Sequence, residues 1–403
     1  MTAVFEYLYY FLAAIACWLG IKSLASGFRF AEYVRQETKR RLPEFQPFVS
    51  VIAPGRGLEP GLASNLWPLL AQAYQAYEVL FVFDREDDPA IEVVERLARS
   101  SDVAAKIVIA GPATDSGQKV HNLRIAVTHI DSKTEVLVFV DTDARPGPLW
   151  LRHLVAPLAD ENLGAASGYR WFLPVAGGFA SRLRGVWNAS IASALGGDTS
   201  KNFCWGGSTA IRRTTFEKLA ISERWRGTVS DDFTVTRVLK AANLPIHFAP
   251  NCLVPSLGDC DFKELLEFTT RQVKITRVYA SHLWLPLLLG SALFSIVFFG
   301  GLILLVLTIL SRFYLVPVVL SILFALGAAK AIIRWRAVSI PLAEYRAEMR
   351  RDLIAHIFFW PMASLLYFYN AIVAGLSRRI KWRGIIYKLK SPTEAVIISR
   401  GPQ

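Results

Sequence analysis

The sequence predicts an α/β domain with a mostly parallel sheet, carried between membrane-spanning helices. Three observations predict this. Of 403 residues, 53% are hydrophobic and the mean hydropathy is +0.34, more apolar than a soluble enzyme. Three stretches, Val4 to Leu24, Leu283 to Leu310 and Phe313 to Ile333, reach the length of about 20 apolar residues that a bilayer-crossing helix needs. Between the first and second stretches, strand-like runs alternate with helical ones, the pattern of a parallel sheet with covered faces.

The first apolar stretch has no Lys or Arg before Lys22, so the charged start of a removable signal peptide is missing. Residues 1–27 read as an uncleaved anchor with its C-terminal end in the cytosol, and 28–46 as a basic linker. A soluble domain is expected over 47–261. In it Pro47 to Ala53 is a strand ended by Pro54 and Gly55, Gly61 to Ala73 a helix, and Tyr77 to Phe83 a second strand closed by Asp84. Helix follows over 89–100, strand over Lys106 to Ile109, helix over Asn122 to His129, and a buried strand over Val136 to Val140 that ends in Asp141. The part from about 160 to 260 is less regular. It contains Trp205-Gly206-Gly207-Ser208 and a helix starting near Ser230, with Asp231 and Asp232 in its first turn. Acids there suit the helix dipole, so capping alone is one reading of that pair.

Residues 262–282 mix Arg271, Lys274 and Arg277 with apolar side chains and read as an interfacial helix. Two transmembrane helices over 283–333 follow, with Arg312 in their short outer turn. Residues 334–403 comprise a basic loop, an apolar segment at 353–376 and a tail. If that segment crossed the bilayer, Arg378, Arg379, Lys381 and Arg383 would lie outside, against the positive-inside rule. Pro361, His356 and Asn370 within it favour a re-entrant or interfacial helix and a cytosolic tail.

The net charge of +12 comes from basic residues clustered beside the apolar segments, which suits anionic headgroups. No zinc, helix-turn-helix or RNA-reading motif accompanies it, so nucleic acid is not the expected partner. Four cysteines without CxxC spacing and six scattered histidines give neither a disulfide framework nor a zinc site. No GxGxxG follows the first strand, which disfavours a dinucleotide site of Rossmann type.

The acids stand where such sheets gather ligands, at the carboxyl ends of strands: Asp84, Asp88 just beyond it, and Asp141. Asp141 and Asp143 are two apart, which in extended chain puts both carboxylates on one side. Two hard oxygens plus diphosphate oxygens and water suit Mg²⁺ or Mn²⁺. A strand-end turn that is acidic only for solubility is the competing reading. A separate carboxylate is needed as base for an attacking hydroxyl, and Asp232 is the candidate. Lys119 and the row Arg271, Lys274, Arg277 are candidate anion contacts, the row serving lipid headgroups equally well.

These residues resemble family 2 type glycosyltransferases of GT-A fold, nearest the ceramide glucosyltransferase branch, over roughly 45–280. Asp84 to Ile91 looks like the first acidic motif with Asp88 at its aspartate, Asp141 matches the second, and Ser230-Asp231-Asp232 looks like the third with Asp232 as catalytic base. Lys119-Val120-His121-Asn122-Leu123 is similar to a K-x-x-N-L run of the same proteins. Where the family carries Q/R-x-x-R-W, this chain has Arg271-Gln272-Val273-Lys274-Ile275. Lys keeps the charge without the bidentate fork. The missing Trp removes a stacking platform for an acceptor sugar and argues against a processive synthase.

The resemblance implies an inverting hexosyltransferase that moves a sugar, glucose first, from a UDP-sugar to the hydroxyl of a membrane lipid such as ceramide at the cytosolic face. The protein would be integral to a bacterial inner membrane or an ER- or Golgi-type membrane. It implies a nucleotide-sugar set of Pro54, Asp84, Asp88, Lys119, Asp141, Asp143, Arg271 and Lys274, with metal at Asp141 and Asp143. Trp205, Gly206, Gly207 and Asp231 would meet the acceptor or transferred sugar. N-acetylglucosamine, glucuronic acid or galactose passing to another lipid or polyprenyl carrier is the enzymatic alternative. A non-catalytic scaffold or a transporter is the alternative of another class. The scaffold is disfavoured by the intact carboxylates, the transporter by the lack of buried charged pairs in the apolar segments.

Overall fold

The computed structural model describes residues 2–307 and 315–401 and divides into two compact units. One comprises residues 36–172, 194–258 and 378–403. The other comprises the chain through Arg35, Leu173–Ser193 and Asp259–Ser377.

The first unit is built on a seven-stranded sheet. Its strands are β1 (Val49–Pro54), β2 (Tyr77–Phe83), β3 (Ala104–Ile109), β4 (Val136–Phe139), β5 (Ala165–Leu173), β6 (Thr209–Arg212) and β7 (Ile246–Leu257). They lie in the order β3-β2-β1-β4-β6-β5-β7. The pairings β3-β2, β2-β1 and β1-β4 are parallel, while β4-β6 and β6-β5 are antiparallel. The mostly parallel α/β class expected from the sequence is therefore present. The chain steps outward from β1 through β2 to β3 and then returns to β1's other side as β4. That reversal opens a crevice at the carboxyl ends of β1 and β4, where ligands bind in such sheets.

Helices Gln118–Val127 and Asp231–Ala241 are pinned over this crevice by a shared core. Val120, Leu123, Val235 and Leu239 pack with Ile52, Leu80 and Leu137 of the strands and with Trp225. Each such side chain, fully removed from water, contributes roughly 1.5–3 kcal/mol. The N-terminus of each helix is fixed as well: Gly117 N donates to Thr228 O at 2.7 Å, and Trp225 Nε1 to Asp231 O at 3.1 Å.

The tail belongs to this unit. Expected only as a cytosolic extension, it folds as β8 (Arg379–Trp382), β9 (Ile385–Ser391) and β10 (Glu394–Arg400), an antiparallel sheet in the order β10-β9-β8. Arg383 and Gly384 turn β8 into β9 with φ of 49° and 77°. Positive φ at both positions is what a tight two-residue hairpin requires, and a non-glycine pays for it in strain.

The second unit holds helices long and apolar enough to cross a membrane: Val4–Glu37, Ser281–Val306 and Val316–Val338. The first runs unbroken as far as Glu37, so the start of the expected linker is helical. Arg312 and the outer turn expected around it lie outside the described residues. Helices Ala343–Phe358 and Trp360–Leu376 meet at a 70° bend, the geometry of a broken span or a re-entrant loop. The break falls beside Pro361, which cannot donate into the preceding turn. Helix Phe262–Tyr279 starts at a capping box of Asp261 and Glu264. It packs on Trp360–Leu376, where Asn370 Oδ1 accepts from Thr269 at 3.3 Å and Thr270 at 3.0 Å. Those bonds satisfy the buried Asn370 carbonyl oxygen.

Candidate active site

A chain of opposite charges lines the crevice. Lys119, in the first turn of its helix, reaches Asp141 Oδ1 at 2.7 Å and Asp231 Oδ2 at 3.1 Å. Arg170, midway along β5, bridges Asp141 Oδ2 at 2.9 Å and Asp143 Oδ2 at 3.0 Å. The order is thus Asp231, Lys119, Asp141, Arg170, Asp143, with three acids held by two cations. Lys119 and Asp231 have side chains only 15% and 6% exposed, so water screens this network weakly.

Burial opposes ionisation of Asp141, but Lys119 and Arg170 outweigh it and hold the carboxyl below its ordinary range. Burial likewise works against the Lys119 ammonium, and Asp141 and Asp231 reverse the balance and raise it. Asp231 behaves differently. Burial pushes it up to about 6, with Lys119 pulling down and Asp232 pushing up.

The sequence expected Asp141 and Asp143 to share a side through strand pleating. The strand ends at Phe139, however, and a turn carries the two acids, with Ala144 N donating to Asp141 O at 3.1 Å. The turn and the common Arg170 bring the carboxylates together.

These groups fit a hard divalent cation shared with a phosphate ligand. Both candidate ligands are carboxylates, and Asp143 Oδ1 is a buried oxygen without a hydrogen-bond partner. Among the described residues no group of three or more His, Cys, Asp or Glu forms an all-protein metal cage. Mg²⁺ in particular is commonly held by one or two carboxylates plus substrate phosphates.

The remaining expected residues fall as follows. Asp232 Oδ1 accepts from Ser230 Oγ and, at 2.7 Å, from Phe233 N, while among the described residues Oδ2 takes no hydrogen bond. A Cβ at Gly206 would overlap Asp231 Oδ2 and come within 2.7 Å of Lys119 Nζ, so only glycine lets the backbone pass there. Trp205 presents its ring to the Arg170 guanidinium at 4.8 Å, and Gly207 lies against the same indole. Asp84, at the end of β2, pairs with Arg56 Nε at 3.6 Å. Asp88 accepts from Gly57 N at 2.9 Å and Ala90 N at 2.9 Å, which ties the loop after Pro54 to the next helix. Arg271 and Lys274 belong to the membrane unit, on helix Phe262–Tyr279, with the Arg271 guanidinium over Phe268 at 5.6 Å.

Sequence reasoning missed Arg170, Glu59, Arg56 and Arg383. Arg383 Nη1 donates to Arg56 O at 3.1 Å, Arg56 Nη1 donates to Arg383 O at 2.9 Å, and Arg383 also pairs with Glu59. Burial raises the Glu59 carboxyl, Arg383 lowers it, and Asp143 and Asp141 raise it further. The β8–β9 turn is thereby latched to the β1 loop at the rim of the site. A lone Arg in the apolar run Gly168-Tyr169-Arg170-Trp171-Phe172 was the available signal for the first of these residues.

The chain is similar to several known proteins. Ceramide glucosyltransferase 1 of Caenorhabditis elegans is 38% identical over 78 residues, 19% of this chain and 17% of that protein. Ceramide glucosyltransferase 3 of the same animal is 35% identical over 78 residues, with the same two shares. The matched stretch is thus under a fifth of the length of these relatives. Among solved structures, a mannosyltransferase from Pyrobaculum calidifontis in complex with GDP-Man and Mn²⁺ aligns with a TM-score of 0.48 and 20% identity, over 91% of this chain and 99% of that one. Glucosyl-3-phosphoglycerate synthase from Mycobacterium tuberculosis aligns with a TM-score of 0.36 and 16% identity, over 58% and 84%. The model of glycosyl transferase family 21 matches residues 8–395, nearly the whole chain, and the chain belongs to that family.

Proposed function

We propose that this protein is an inverting hexosyltransferase that moves a sugar, glucose first, from a UDP-sugar to the hydroxyl of a membrane lipid such as ceramide, at the cytosolic face. The observation that carries the reading is the alternating network of Asp231, Lys119, Asp141, Arg170 and Asp143 at the carboxyl ends of a parallel sheet, in a chain with three apolar helices of spanning length. The ceramide glucosyltransferase relatives support the choice of sugar and lipid. Basic residues flanking the apolar helices support the cytosolic placement.

A divalent cation, Mg²⁺ or Mn²⁺, held by Asp141 and Asp143 would neutralise the departing diphosphate. The chain's own residues do the rest. Arg170 and Lys119 position the carboxylates, and a cation entering there would take over oxygens of Asp141 and Asp143 that Arg170 bridges. Gly206 lets the loop Trp205-Gly206-Gly207 lie directly against Asp231 and Lys119, and that loop with Asp231 would meet the acceptor or transferred sugar. Asp232, its Oδ1 fixed by Ser230 and Phe233, keeps Oδ2 for the acceptor hydroxyl. As the acceptor oxygen bonds to the anomeric carbon, its proton passes to Asp232 and the carbon–oxygen bond to the diphosphate breaks on the opposite face. The configuration inverts.

The test is incubation of the purified full chain with UDP-sugars and a panel of membrane lipids, with mass analysis of the lipid products. A hexosyl lipid formed by the wild type and absent with Asp232→Asn is expected. Release of free sugar without lipid product would remove the lipid acceptor from the reading.

A further inference from the structure

The membrane unit contains a pocket of about 310 Å³, at the lower end of the roughly 300–1,000 Å³ of small-molecule sites. Its apolar wall includes Ala16 and Leu19 of the first spanning helix, Leu293 and Phe294 of the second, and Leu323 and Leu326 of the third. One turn beyond Leu326, on the same helix face, stands Lys330, and one turn beyond that Arg334, both lining the pocket. Lys330 Nζ donates to Ser23 Oγ at 2.7 Å. Arg334 is 5% exposed, and its Nε is buried without a hydrogen-bond partner. Among the described residues that line the pocket, none is acidic.

Two cations facing apolar walls inside a membrane unit, with no carboxylate among the lining residues, are costly to keep unless an anion joins them. A guanidinium beside an ammonium suits a phosphate, the first as a planar fork and the second as a point charge. The walls suit an acyl chain. We propose that this pocket binds one anionic phospholipid, its phosphate between Lys330 and Arg334 and a chain along the apolar wall. The proposal is independent of which sugar or acceptor the enzyme uses.

The test is lipid retention by the full-length protein, read by native mass spectrometry after exchange from vesicles of phosphatidylglycerol or of phosphatidylcholine. Wild type should retain about one phosphatidylglycerol and no phosphatidylcholine, and millimolar inorganic phosphate should not displace the lipid. Arg334→Gln should lose retention roughly tenfold or more, while Arg334→Lys keeps most of it. Gly290 lines the pocket on the second spanning helix and a Cβ there meets nothing within 4 Å, so Gly290→Leu narrows the space while leaving both cations in the sequence and improves helix propensity. This variant should melt like wild type and lose the lipid. Equal retention of the two lipids, displacement by phosphate alone, or undiminished retention in Gly290→Leu would each overturn the proposal. The comparison of lipids on wild type and the Gly290 variant decide the matter even where Arg334→Gln fails to fold.

Discussion

Replacing Lys119 with Met leaves Asp141 and Asp231 without the cation between them. At an effective dielectric of about 20, charges 2.7 Å and 3.1 Å apart attract by about 6 and about 5 kcal/mol, much of it offset by the cost of desolvating the ions. Removing one partner of such a buried pair costs roughly 3–5 kcal/mol, because the carboxylates stay buried and unneutralised. For a unit of this size that lowers the melting temperature by roughly 6–20 °C, a shift that tryptophan fluorescence reads directly. The deficit also depends on pH with a definite sign. Burial places Asp231 at about 6 in the folded state, above the ordinary carboxylate range, and Lys119 is one of the groups pulling it down. Without Lys119 it rises further. The folded state then binds a proton that the unfolded state lacks, so stability increases as pH falls below the folded value. Lys119→Met should therefore be far weaker than wild type at pH 8 and closer to it at pH 5, and adding Asp231→Asn should recover part of the loss at pH 8. A melting temperature within about 2 °C of wild type at pH 8 would refute the network as a buried one.

Three further outcomes follow from the same geometry. Arg170→Gln removes the guanidinium that bridges Asp141 and Asp143, so Mn²⁺ should bind more tightly in the absence of donor, as read by the loss of the free-ion paramagnetic resonance signal; unchanged affinity would show that Arg170 does not compete for those oxygens. Arg383→Ala releases the turn from Arg56 and Glu59, a partly exposed latch worth about 1 kcal/mol, and limited proteolysis should cut the tail faster than in wild type. Turnover should fall as pH drops through about 6, where Asp231 takes up a proton and Lys119 loses one of its two anchors; a flat profile between pH 7 and 5 would contradict that dependence.

The sequence was most legible where one local rule acted alone. The apolar run Tyr77 to Phe83 is a strand over those same residues, and acids just past the ends of β2 and β4 mark the crevice because chain reversal there is a property of parallel sheets. Arg170 was hidden because its partners are 27 and 29 residues away, across the sheet, and nothing local separates a paired Arg from an edge residue. The small sheet of the tail went unread for a different reason. Its many cations follow an apolar segment and fit the positive-inside pattern, which masked the alternation Ile380-Lys381-Trp382 and Tyr387-Lys388-Leu389-Lys390 on either side of the Arg383-Gly384 turn. Tyr387 is buried and accepts from Gln118 N at 3.2 Å, next to Lys119, a long-range tie that no window of sequence displays.

The proposed base and metal roles are separated most directly by measuring donor binding and lipid glycosylation on the same preparations of Asp232→Asn and Asp143→Ala. Loss of the base should lower turnover by roughly 10²–10⁴ while UDP-sugar affinity holds. Loss of Asp143 should weaken metal-dependent donor binding itself. Near-normal transfer of sugar to lipid by Asp232→Asn would contradict the assignment of that carboxylate as the base.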